Sequence, residues 1–78
     1  MTHKSIELGL DVWKKMRRRG LSRGDIREAL ALGVWEAVET FHGEQRLAKI
    51  ARLRGRLYRL VFIERQHDIT IVSFHPID

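Results

Sequence analysis

The stretch RLYRLVFIERQHDITIVSFHP, residues 56–76, decides the fold of this chain. Residues 56–64 are predicted to form a strand whose side chains alternate between its two faces. Ile69 to His75 form a second strand. Pro76 ends the second strand because proline cannot donate to a sheet ladder. Both strands are apolar on both faces at their middles, which is typical of central strands. Two such strands joined by a short polar connection predict the middle of an antiparallel sheet.

Two further strands are predicted before this pair. Val34 to Phe41 is rich in β-branched and aromatic residues, and His42-Gly43 follows as a turn. Arg46 to Leu53 fits either a helix face or an alternating strand. We choose the strand, because a turn candidate, Arg54-Gly55, and a clear strand come next. The four strands then form an antiparallel meander.

The N-terminal third predicts two helices. Ile6, Leu10, Trp13 and Met16 are spaced as one apolar helical stripe. Basic residues lie on other faces and toward the end of this helix, where cations suit the helix dipole. Gly20 is well placed to end the helix in the left-handed conformation.

The start of the second helix is the clearest local signal in the chain. Ser22 is an N-cap candidate, and Asp25 completes an aspartate version of the capping box. Leu21 and Ile26 are spaced as a hydrophobic staple, and Gly33 is the natural stop. The predicted fold is therefore α+β: one domain, 1–78, with two N-terminal helices followed by a four-stranded antiparallel sheet.

Size and composition narrow the class of protein. The chain has 78 residues, no cysteine and a formal net charge of +5. We expect a cytoplasmic protein without a membrane segment, a metal site or a cofactor, because the longest apolar run is short and the four histidines are scattered. The positive charge attracts phosphates, anionic lipid or an acidic protein. A solvated surface rich in ion pairs accounts for it equally well.

Basic residues of the sheet half provide candidate site residues. A basic groove with a histidine and a tyrosine can bind RNA and help to cut it, since the RNA supplies its own nucleophile. We therefore take His75, Tyr58 and Arg56 as candidate catalytic residues. The candidate nucleic-acid-binding residues are Arg46, Lys49, Arg52, Arg54 and Arg59. A DNA-reading helix–turn–helix at residues 18–26 is a weaker alternative, because two helices do not complete that fold.

The helix corner also resembles a known group. Residues 15–22, KMRRRGLS, followed by Asp25-Ile26 and Ala29-Leu30, resemble an uncharacterised bacterial domain with the signature RM..RG[IL]S...I..AL. That domain is related to the BrnT-like branch of the RelE/ParE toxin superfamily. Residues 43–46, GEQR, and the segments 55–57 and 71–73 are similar to elements of BrnT-type toxins.

This resemblance implies a RelE-like α+β fold and a cytosolic ribonuclease encoded with a small antitoxin. It implies that Arg46 and Arg56 bind phosphate, and that His75 stands where those toxins often have arginine. Asp11 takes the place of a histidine common in the uncharacterised domain, and the initial strand of BrnT-type toxins is expected to be absent. We thus expect a toxin-like, metal-independent endoribonuclease or RNA-binding module. The alternative is a non-catalytic interaction module that binds an acidic protein or forms a homodimer through its apolar sheet.

Overall fold

The computed structural model describes residues 4–77, which form two helices and five strands. In chain order the elements are β1 (Ser5–Leu8), α1 (Leu10–Arg18), α2 (Arg23–Leu32), β2 (Val34–Phe41), β3 (Glu44–Leu53), β4 (Arg56–Glu64) and β5 (Asp68–Pro76). The predicted turns His42-Gly43 and Arg54-Gly55 are confirmed. Both have positive φ at their two central residues, the turn geometry that matches the twist of a hairpin.

The predicted four-stranded antiparallel sheet is wrong. The sheet has five strands in the order β1-β5-β4-β3-β2, and it is mixed. β1 pairs with β5 in parallel, from Ser5 beside Asp68 to Leu8 beside Ile71, and the other neighbours are antiparallel. An initial strand is therefore present, and Ile6 is its buried residue. Four residues are too few to show strand alternation, and Ile6 continues the helical spacing of the apolar residues after it.

Helix α1 buries a different face from the predicted stripe. It begins at Leu10 and buries Val12 and Met16, whereas Leu10 and Trp13 are exposed. Gly20 has a left-handed backbone, with φ of 69°, as predicted. The consequence for the surface is that Trp13 faces outward among the basic residues of the helix.

Helix α2 begins and ends at the predicted residues. The Ser22 hydroxyl accepts from the Asp25 N–H at 3.3 Å, and the Asp25 carboxylate accepts from the Ser22 N–H at 2.8 Å, which completes the capping box. Gly33 ends the helix in an extended conformation. Glycine is needed there because a Cβ would overlap the carbonyl oxygen of Ala29.

Both helices cover one face of the sheet, and the core lies between these two layers. The strands add their helix-facing side chains to it. A register shift makes Val72 an extra residue in β5 opposite β4. This bulge lets Ile71 and Phe74, three positions apart, both face the helices. The buried core cluster is Ile6, Val12, Met16, Leu21, Ile26, Ala29, Leu53, Tyr58, Leu60, Phe62, Ile71 and Phe74.

Candidate nucleic-acid interface

The second half of β5 runs past the end of β1. β1 pairs with β5 only as far as Ile71. Beyond that point, the C-terminal part of α1 and the end of β5 enclose a cavity of about 380 Å³. Among residues 4–77, its lining contains three cations and a histidine and no acidic residue: Lys15, Arg18, Arg19, His75 and Pro76.

The cations of this cavity have no partner among the residues that the structure describes. Across residues 4–77, no hydrogen bond, ion pair or ring contact engages the side chains of Lys15, Arg18 or Arg19. The carbonyl end of the α1 dipole offsets part of their mutual repulsion. Arginine presents a planar fork of donors that fits a phosphate. The cavity is thus suited to an anionic ligand.

A second cavity, of about 540 Å³, lies on the outer face of α1 and shares Arg18 with the first. Its other lining residues are Trp13, Lys14 and Arg17. Trp13 is 39% exposed, and the Arg17 Cζ lies 4.7 Å from the centre of its ring. An exposed indole beside cations is a surface on which a nucleobase can stack. We call the following residues the α1 basic surface: Trp13, Lys14, Lys15, Arg17, Arg18, Arg19 and His75.

Two of the sheet arginines predicted to bind nucleic acid are held in ion pairs. The Arg59 Nε lies 2.9 Å and 3.0 Å from the two carboxylate oxygens of Glu36. The Arg54 Nη2 lies 3.4 Å from the Asp25 Oδ2. Each pair neutralises the charge that the sequence prediction assigned to phosphate.

Arg46 and Arg52 are also engaged within the sheet. The Arg46 Cζ lies 4.5 Å from the centre of the Phe41 ring, and its buried Nε has no hydrogen-bond partner within the described residues. Arg52 donates from Nη1 to the Gly55 carbonyl at 3.1 Å. These contacts direct both side chains along the protein surface.

Lys49 lies on the helix side of the sheet. Its Nζ donates to the Leu30 carbonyl near the end of α2 and lies 4.3 Å from the centre of the Trp35 ring. The ammonium is partly buried in this position. Its contacts support α2, so the structure gives Lys49 a structural role.

The three candidate catalytic residues are not brought together. Tyr58 is buried, and its ring stacks on Phe74 with centroids 4.7 Å apart. His75 lies opposite Arg59 in the β4–β5 pairing, on the other face of the sheet from Tyr58. Arg56 lies at the start of β4, opposite Leu53. Only His75 joins the cavity at the end of α1.

The sequence prediction selected His75 and therefore missed the other six residues of the α1 basic surface. The basic run at residues 14–19 was visible as a helix-end cluster. Its position beside His75 depends on β1 ending before β5 does, and β1 was absent from the predicted fold. No signal in the sequence alone links residues 15, 18 and 19 to residue 75.

The described residues show neither a metal site nor a membrane-spanning helix. In the described part of the chain, no group of three or more histidine, cysteine, aspartate or glutamate residues is placed to hold a metal ion. Neither helix among residues 4–77 combines the length and the apolar character needed to cross a bilayer. Comparison with protein-family models, curated proteins and solved structures finds no match to this chain.

Proposed function

We propose that this protein binds single-stranded RNA through the α1 basic surface. The observation that carries the proposal is the cavity whose lining includes Lys15, Arg18, Arg19 and His75, with no acidic residue from the described part of the chain. Three cations around one space are suited to a phosphate of the backbone.

Trp13 favours nucleic acid over other anions as the ligand. A lipid headgroup or an acidic peptide offers negative charge without a flat ring, whereas an unpaired base offers a π-face to an exposed indole. Bases in a duplex are stacked on one another, so this contact selects a single strand. The resemblance to BrnT-type toxins favours RNA, and such a role would place the protein in the cytoplasm.

The proposal stops at binding. Tyr58, the second proton-transfer group expected from the sequence, is buried in the core. His75 is then the one candidate acid or base beside the cavity, and cleavage through the 2′-hydroxyl needs both roles filled. A toxin-like endoribonuclease would need a second group supplied by a partner or by the RNA.

The test compares two double variants that remove the same charge. Arg18→Ala with Arg19→Ala alters the cavity, and Arg52→Ala with Arg54→Ala alters sheet residues that the sequence prediction selected. Binding to a labelled short oligouridine is measured by fluorescence anisotropy over a series of salt concentrations. We expect the cavity variant to lower the slope of log Kd against log salt by about 1.4, at about 0.7 for each phosphate contact on a single strand.

The sheet variant is expected to leave that slope nearly unchanged. Equal losses in the two variants would show that net charge alone attracts the RNA and would contradict the proposed site. Absence of RNA binding by the unaltered protein at low salt would overturn the proposed function. Thermal melts of both variants check that the fold is intact.

A further inference from the structure

Strand β2 forms the edge of the sheet opposite the β1–β5 edge. Eight residues, Val34–Phe41, pair with β3 on one side. On the other side, no strand of the described chain pairs with them. The backbone N–H and C=O groups that point outward from this edge are therefore free to pair with another chain.

The side chains along this edge are unusually apolar for an exposed strand. Val34 is 72% exposed and Val38 is 58% exposed, and the neighbouring Leu32 at the end of α2 is 77% exposed. Trp35 and Phe41 are more than half exposed as well. Long apolar edges without protection promote association, so native proteins usually cover or charge them.

The charge of β2 is opposite in sign to that of the whole molecule. Its charged residues are Glu36 and Glu39, and it contains no cation. A register shift between Trp35 and Ala37 makes Glu36 a bulged residue, and Glu36 contacts Arg59 on the sheet face away from the helices. Glu39 lies opposite Arg46 on that same face. The bulge thus places two carboxylates, three positions apart, on one face of the edge.

A second copy of this chain fits the edge poorly in the register that pairs the whole of β2. If two β2 strands overlap fully about a two-fold axis, Val34 lies opposite Phe41 of the second copy and Glu36 lies opposite Glu39. The two-fold axis produces a second Glu36–Glu39 pair. Like charges directly opposite one another on one face of a sheet are destabilising. Charge complementarity therefore favours a partner strand that carries cations.

We propose that the β2 edge accepts an extended, basic segment of a partner protein by strand addition. Glu36 is already paired with Arg59, so the cation of the partner faces Glu39, whose carboxylate has no partner among the described residues. The apolar residues of the partner, which alternate with its cations, face Trp35 and Val38 on the helix side. Main-chain hydrogen bonds to the free edge provide affinity, and the alternation provides specificity. This site lies at the opposite end of the sheet from the α1 basic surface and does not depend on the proposed RNA binding.

The test uses an acetylated eight-residue peptide in which valine and lysine alternate. The protein carries Trp13→Phe, so that Trp35 is its single indole and reports binding by fluorescence. Controls are a scrambled peptide of the same composition and a peptide in which valine and glutamate alternate. We expect saturable binding of the valine–lysine peptide alone, with slower amide hydrogen exchange along β2.

The variant Glu39→Lys gives the sharper comparison, since the Glu39 side chain makes no hydrogen bond or ion pair with the residues that the structure describes. We expect this variant to bind the valine–lysine peptide about fivefold more weakly and to bind the valine–glutamate peptide more tightly than the unaltered protein does. Equal binding of the three peptides, or no binding, would overturn the proposal. Light scattering that shows a dimer whose β2 amides are already protected would also overturn it and identify a second copy as the occupant.

Discussion

At the scale of single residues, Asp25 shows how one carboxylate serves two elements. It accepts from the Ser22 N–H and from the Ser22 hydroxyl at the start of α2, and it pairs with Arg54 from the β3–β4 turn. The backbone hydrogen bond from Ser22 is the main cause that lowers the pKa of Asp25 below its ordinary value of 3.8. Arg54 and the Ser22 hydroxyl act in the same direction, and desolvation opposes them.

A pH dependence of stability follows from this lowered pKa. The contribution of Asp25 is fully present above the ordinary value of 3.8 and is lost as the pH falls through the lower pKa of the folded state. We expect Asp25→Asn to reduce the free energy of unfolding by about 0.5–1 kcal/mol at neutral pH, because solvent screens the carboxylate. Urea titrations from neutral pH to about pH 2 should show the two proteins converge in acid. A constant difference at every pH would contradict this assignment.

The capping box at Ser22 and Asp25 could be predicted because all of its partners lie within four residues of each other. The same holds for Gly20 and for the two hairpin turns, which depend on local backbone conformation. Gly33 is instructive in another way. The sequence predicted its position as a stop, but its cause is a close approach to the Ala29 carbonyl, which only the folded chain defines.

At the scale of elements, Lys49 joins a strand to a helix. It reaches from β3 to the Leu30 carbonyl near the C-terminal end of α2, where a cation also suits the helix dipole. The same ammonium lies over the Trp35 ring of β2. Three elements therefore meet at one side chain.

Lys49→Met separates structural cations from binding cations. The methionine keeps the apolar stem and leaves the Leu30 carbonyl without its donor, so we expect a loss of about 1–2 kcal/mol in the free energy of unfolding. RNA affinity should be nearly unchanged, because Lys49 is not part of the α1 basic surface. Lys15→Met is the matched control, with weaker RNA binding and little change in stability. Urea denaturation and anisotropy measure the two effects, and the reverse pattern would contradict both roles.

Strand β1 shows where prediction of elements fails. β2, β3, β4 and β5 each extend over eight or more residues, so their alternation is visible in the sequence. β1 has four residues, and its partner lies near the other end of the chain. Its existence depends on the exposed edge of β5, which is information that a local window does not contain.

At the scale of the whole molecule, β1 forms one edge of the sheet and helps to cover the core. Ile6 is its buried residue and belongs to the core cluster. The Arg23 Nη1 also donates to the Ile6 carbonyl at 2.6 Å, so α2 holds the strand in place. A chain this short has a small free energy of unfolding. Loss of the β1–β5 pairing would therefore remove a large fraction of it.

Ile6→Ala should therefore be costly for so short a strand. We expect the free energy of unfolding to fall by about 2–3 kcal/mol, because the truncation leaves a cavity beneath α2. Glu7→Ala, at the exposed neighbouring position, is expected to have little effect. Chemical denaturation measures both, and amide exchange should show the loss first in the β1–β5 pair. A loss below about 1 kcal/mol for Ile6→Ala would contradict the role of β1 in covering the core.

The site follows the same division between local and long-range information. His75 and the basic run at residues 14–19 were each visible in the sequence. The sheet arginines were equally visible, and partners such as Glu36 and Asp25, distant in the chain, hold two of them. Which cations remain available to a ligand depends on the tertiary structure. The residues selected from the sequence therefore include His75, which lies on the α1 basic surface, and others that are paired within the protein.

The parallel pairing of β1 with β5 also affects how the protein matures during synthesis. Ile6 leaves the ribosome long before its partner Ile69, because both helices and the next three strands lie between them in the chain. Until β5 has emerged, β1 has no partner strand, because this long-range contact forms late. The β1–β5 pair and the core around Ile6 therefore form after the other strands have been made.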